Sequence, residues 1–228
     1  MRSFTTLTGL ASIALIVSSN VQAAPSSSIA SRSSPQLSCA DQSKETKGQL
    51  YAGDYYYGST ETKLGYKSVT DSTGKEELQV VKYDENDSTI RLLSNVIKRQ
   101  CNSTALNMFS NQAKFGTNQP VKILADVGRD GIPYCIGLSN SSGNPSDIAL
   151  VPCSFVDDDS QLNQFWVSQW KYANVFPAIG KSNVTDDVHN YQPIKPPGDD
   201  ESSGVYTTEP NQSSDPYETY KSFYISSA

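Results

Sequence analysis

The chain has 228 residues, of which 36% are hydrophobic and 18% charged, with a net charge of −6 and a single histidine. That balance argues against a nucleic-acid partner, because no basic stripe exists to release counterions from a phosphate backbone. It leaves room for one domain of ordinary size with polar extensions.

Residues 1–23, MRSFTTLTGLASIALIVSSNVQA, read as a secretory signal peptide: Arg2 gives the positive start, Leu10 to Val17 the apolar run, and Val21-x-Ala23 the small-residue cleavage pattern. The run is too short to span a bilayer and no later segment is longer, so no membrane association is expected. The mature chain is expected to begin near Ala24 and to leave the cell for the extracellular space or a cell wall. Asn86, Asn102, Asn140, Asn183 and Asn211 open N-x-Ser/Thr sequons and fit that route, whereas Pro145 blocks Asn144. Residues 24–37 form a Ser/Pro-rich linker with little to bury.

The body, residues 38–180, consists of short β-type runs broken by turn residues. GQLYAGDYYYG, LGYKSV, ELQVVKY, TIRLL, PVKILADV, YCIGL, IALVPC and FWVSQW are rich in β-branched and aromatic residues, and DSTGK, GRDG and SSGNPSD separate them. No long 3.6-residue apolar stripe competes; STIRLLSNVIKR comes nearest and is itself β-rich. The expected class is all-β, a sandwich or a barrel. Segments starting near Lys47, Ile90 and Ile132 each span roughly 42 residues, which suits a threefold barrel. Tyr51 to Gly58 gathers four tyrosines around Asp54, either a strand of half-buried rings or an aromatic platform beside a carboxylate. Lys98-Arg99 reads as a charged strand end.

Four cysteines in an oxidising compartment imply two disulfides, with three pairings open. Cys135 and Cys153 enclose a short self-contained segment, which favours Cys135–Cys153 with Cys39–Cys101. No cysteine pair has close ligand spacing and His189 lies in a polar stretch, so no metal site or other cofactor is expected. Asp157 to Asp159 lack the spaced oxygens and glycine of a calcium loop and read as a solvated turn.

From Tyr134 to Ser168 the pattern is a cysteine, apolar alternation, a glycine-containing turn, Ile148-x-Leu150-x-Pro152-Cys153, an acidic turn, and Asn163-Gln164-x-Trp166. Two strands with Ile148 and Leu150 on one face cannot bury that face alone; three copies around an axis can. Trp166 would wedge between hairpins, and Gln164 would tie its loop to a neighbour through an amide that needs partners once buried. This stretch resembles one repeat of the ricin B-type lectin family, and residues 38–180 more loosely resemble secreted fungal ricin B-like proteins with eroded first and second repeats. The resemblance implies a β-trefoil of three Gln-x-Trp repeats, with the two cysteines of a repeat joined to each other.

It also implies a sugar site: an aspartate two after the first cysteine, an aromatic two before the second, and the Asn and Gln amides. Asn163 and Gln164 occupy the amide positions, but Gly137 stands at the aspartate position and Val151 at the aromatic one. Carbohydrate binding is therefore expected to be weak or non-standard, through Asn163, Gln164 and the cluster tyrosines Tyr55 and Tyr57. Trp170, by alternation from Trp166, falls on the same strand face.

Residues 181–228 hold eight acids against three lysines, nearly all of the net negative charge, and read as a disordered acidic tail. No Gly-x-Ser-x-Gly, Cys/His pair or metal box appears, so no catalytic residue is named. The expected function is a non-enzymatic lectin-type module whose partner is a glycan or cell-wall polysaccharide. A protein-binding or protease-inhibiting trefoil that meets an extracellular protein is one alternative, by fold analogy. A structural wall protein acting through its tail is the other.

Overall fold

The computed structural model describes residues 34–42, 45–54, 61–70, 74–109, 111–113, 116–129, 131–139, 146–169, 174–178, 194–198, 204–208 and 221–226. The signal segment, most of the linker, Tyr55, Tyr57, Trp170, Asn140, Asn183 and Asn211 lie outside them. The first strands are β1 (Ser38–Cys39), β2 (Thr46–Asp54), β3 (Thr62–Thr70), β4 (Glu76–Lys82), β5 (Arg91–Leu92), β6 (Val96–Asn102) and β7 (Asn111–Ala113). After them come β8 (Gly116–Ala125), β9 (Tyr134–Leu138), β10 (Ser146–Pro152), β11 (Trp166–Gln169) and β12 (Val175–Pro177). Three more, β13 (Ile194–Lys195), β14 (Thr207–Thr208) and β15 (Lys221–Ser226), complete the set, and a 3-10 segment, Asp159–Gln164, precedes β11.

The protein is all-β, with its strands in one large antiparallel sheet. The apolar runs read from the sequence become β2, β3, β4, β5, β8, β9, β10 and β11. DSTGK joins β3 to β4, whose ladder runs from Leu64 opposite Lys82 to Thr70 opposite Glu76. The pairings return on themselves, β2 to β6, β6 to β8, β8 to β9, β9 to β10, β10 to β4, β4 to β3 and β3 to β2. Closure of this kind removes the unpaired edges that invite aggregation.

Alternation along the strands divides the interior in two. On β8, Val121, Ile123 and Ala125 enter the main cluster with Leu50, Leu64, Val80, Ile136, Ile148 and Trp166. The residue following Trp166 on β11, Val167, joins Leu37, Cys101, Leu106, Met108 and Phe165 in a smaller cluster. Successive side chains on a strand point to opposite faces, so β11 is buried on both. The disulfides are Cys39–Cys101 and Cys135–Cys153, closing separations of 62 and 18 residues. Chain entropy assigns them about 4 and about 3 kcal/mol respectively. Pairs of this type are typical of extracellular proteins.

Two boundaries differ from those expected. The linker ends early, since Gln36 bridges Val156 and Leu37 is buried, its N–H donating to the Phe155 carbonyl. The disordered-tail expectation is corrected wherever residues 181–228 are described, because β13, β14 and β15 belong to the sheet. β15 pairs with β2 from Lys221–Asp54 to Ser226–Gln49, and with β12 where Val175 meets Phe223. Phe223 is fully buried between Trp166, stacked at 5.6 Å, and Tyr206, edge-on at 5.6 Å. The acidic average of 48 residues hid a six-residue strand whose Phe223 and Ile225 carry the apolar alternation.

Replacing Phe223 by alanine should cost about 3–5 kcal/mol and lower the melting temperature by roughly 10 °C. Ending the chain at residue 220 should abolish cooperative unfolding. Circular dichroism melts read both, and a truncated chain with the parent melting curve would refute the assignment of β15 to the core.

Candidate functional site

The Asn-Gln-x-Trp motif sits where the 3-10 segment enters β11. Asp158 caps that segment, its carboxylate accepting from Ser160 N at 2.9 Å. Trp166 is 1% exposed and its indole N–H donates to the Ile136 carbonyl at 2.7 Å. Gln164 is turned inward: Nε2 donates to the Pro152 carbonyl at 3.0 Å, and Oε1 accepts from Ser154 N at 3.2 Å and from Lys122 Nζ at 3.0 Å. Asn163 Nδ2 donates to the Leu138 carbonyl at 3.3 Å, while its buried Oδ1 has no partner among the described residues. These bonds use both acceptor positions of the Gln164 amide and one of its two donors to hold the motif to the end of β10.

Gly137 explains why no aspartate could stand at the position that the resemblance assigns to one. A Cβ there would lie 2.5 Å from the Asn163 carbonyl oxygen and 3.3 Å from Val151 Cγ2. The loop bearing Asn163 is pressed onto the β9 backbone, and only glycine permits that approach.

Beneath the motif lies a feature not anticipated from sequence. Lys122, on the β8 face opposite Val121 and Ile123, is fully buried. Its Nζ donates to the Ser154 carbonyl at 2.5 Å, to Gln161 Oε1 at 2.5 Å and to Gln164 Oε1 at 3.0 Å. The Phe155 and Phe165 rings flank it at 5.4 and 5.3 Å. Three acceptors and two ring faces suit an ammonium group. Even so, burial pushes the amine down to about 7, with Asp158 opposing the shift. The sequence signal was a lysine inside PVKILADV, a run buried on both faces.

A groove of about 350 Å³ opens over the junction of β4, β9 and β10. Leu78, Leu150, Val151 and Pro152 line it, together with Tyr134, Ser139, Glu76 and Arg129. Tyr134 is half-buried and packs against the main core. Glu76 Oε1 accepts from Ser68 Oγ at 2.6 Å and from Arg129 Nη1 at 2.9 Å. The Ser68 hydroxyl, then Arg129, hold the Glu76 carboxyl below its ordinary value. The Glu76 bond in turn raises Arg129. Glu77 pairs with Lys75 at 3.3 Å. The groove thus combines an aromatic ring, carboxylate acceptors, a guanidinium donor and a hydroxyl.

Other singled-out residues have structural duties. Asp157, expected in a solvated turn, is buried, accepting from Ser103 Oγ at 2.5 Å and Thr104 N at 3.0 Å. Arg99, on β6 rather than at a strand end, pairs with Glu45, whose side chain is 2% exposed, and Lys98 Nζ donates to Ser168 Oγ at 3.2 Å. Asn86 lies exposed in a turn, and Asn102 is half-buried opposite Ser38. Tyr51 stacks on Tyr224 at 5.4 Å across the β2–β15 ladder. Among the described residues no group of three or more His, Cys, Asp or Glu could hold a metal ion, and no helix is long and apolar enough to cross a membrane. No family model matches the chain, nor does any curated protein or solved structure.

Gly137→Asp should therefore destabilise the protein by about 1–3 kcal/mol through overpacking, with no gain of galactose binding. Urea unfolding and a galactose titration test the two halves of that expectation.

Proposed function

We propose that the protein is a secreted, non-enzymatic, lectin-type module that binds extracellular or cell-wall glycans through the groove over β4, β9 and β10. The supporting observation is the half-buried Tyr134 beside the Ser68–Glu76–Arg129 chain. A tyrosine face packs against the C–H side of a sugar ring, while carboxylate and guanidinium groups bond its hydroxyls. The pairing of Glu76 with Arg129 leaves little net charge there, which favours neutral sugars over anionic ones.

The scaffold for this reading is a degenerate β-trefoil of ricin B type. Two features support it: the Cys135–Cys153 disulfide within the motif, and Trp166 closing the core beside it. A protein partner is the second reading, favoured by Ile132, which is 50% exposed beside an apolar groove that Ile97, Leu124 and Pro133 also line.

Screening the deglycosylated secreted protein on a glycan array and on insoluble wall polysaccharides should yield a saturable hit competed by free sugar. Tyr134→Ala and Arg129→Ala should each weaken that binding by about 10-fold or more, with melting curves recorded alongside to separate lost contacts from lost fold. Because the Glu76 carboxyl is held low, binding should persist as pH falls through the ordinary carboxylate range and decline only below it. A blank on both arrays would end the lectin reading and turn attention to protein partners.

A further inference from the structure

The buried amine of Lys122 faces two side-chain amides, and Asp158, the carboxylate that opposes its shift, is exposed. No carboxylate among the described residues lies within 4.0 Å of Nζ. An uncompensated buried charge is costly, and the group responds by tending towards neutrality. Loss of one proton leaves Nζ two N–H groups for its three acceptors; giving up the bond to Gln161 Oε1 turns the freed lone pair towards the adjoining amide carbon, Cδ. Gln161 is itself fully buried, its Oε1 2.5 Å from Nζ. Its Nε2 points the other way, donating to Ser160 Oγ at 3.2 Å, and that hydroxyl in turn donates to the exposed Asp158 carboxylate at 2.5 Å.

We propose that Lys122 and Gln161 join in an intramolecular isopeptide bond. Lys122 Nζ attacks Gln161 Cδ, the Nζ–Cδ bond forms, and the Cδ–Nε2 bond breaks. One proton moves from Nζ to Nε2, with the Ser160 hydroxyl beside the departing nitrogen, itself held by the Asp158 carboxylate, as its carrier, and ammonia leaves towards solvent. No electrons are gained or lost. The product amide is neutral, and its remaining N–H keeps the Ser154 carbonyl as acceptor. Gln164 is the less suited partner: its Nε2 is held by the Pro152 carbonyl and its Oε1 already accepts from Ser154 N. The bond would tie β8 to the 3-10 segment ahead of Trp166, linking the loop of the motif to the sheet independently of either disulfide.

The test is the mass of the full secreted chain, deglycosylated, reduced and denatured. The expected result is a chain lighter by one ammonia, with trypsin failing to cut after Lys122 and releasing residues 115–129 joined to residues 130–171. Lys122→Met and Gln161→Glu controls should each lack the joined peptides. Asp158→Asn, at an exposed position, should slow the joining at least 10-fold while leaving the melting curve cooperative. A full-mass chain cleaved after Lys122 would overturn the proposal. So would an ammonia loss mapped to a cyclised asparagine or an N-terminal glutamine.

Discussion

Phe223 holds the structure together, because its ring fills the gap between Trp166 and Tyr206 and its strand fills the gap between β2 and β12. These are two requirements met by one residue. Without the ring, the largest fully buried side chain among the described residues, that of Trp166, loses its stacking partner. Without the strand, the amides and carbonyls of β2 from Gln49 to Asp54 lose one row of partners. A buried unpaired backbone group costs as much as a lost hydrogen bond. The end of the chain therefore decides the stability of strands made far earlier in it.

That arrangement also sets where chemistry can happen. The loop carrying Asn163 and Gln164 is pulled onto β9 until only glycine fits at position 137. What could have been a cleft between loop and hairpin becomes packed interior, and the amides are drawn into holding the motif and solvating Lys122. The open surface is displaced to the other side of β10, where β4 pairs with it and Arg129 reaches Glu76. The groove there is built from residues far apart in sequence, with Ser68, Glu76, Arg129 and Tyr134 drawn from three strands and a loop.

The Lys122 site follows from the same compression. A lysine on the second face of a strand buried on both faces has no route to solvent, so its amine must find partners inside. It finds carbonyl oxygens and rings, and no carboxylate within ion-pair distance among the described residues. Arg99, on the neighbouring strand and opposite Lys122 in the ladder, is handled differently, since Glu45 pairs with it. Two cations side by side thus meet opposite solutions, one ionic and one built from neutral acceptors.

The sequence by itself determined the fold class, most of the strands and the turn between β3 and β4. Those depend on local alternation, β-branched content and glycine placement, all of which are short-range. It also marked Trp166 and Gln164 as residues that close the fold. Only the tertiary structure decided that the last strand belongs to the core, that Gln164 faces inward, and that Lys122 is buried. Each depends on which strand lies beside which, and pairing partners up to 177 residues apart, such as Gln49 and Ser226, leave no local periodicity to read. The groove was equally illegible, because a surface assembled across strands is a property of register rather than of any one stretch.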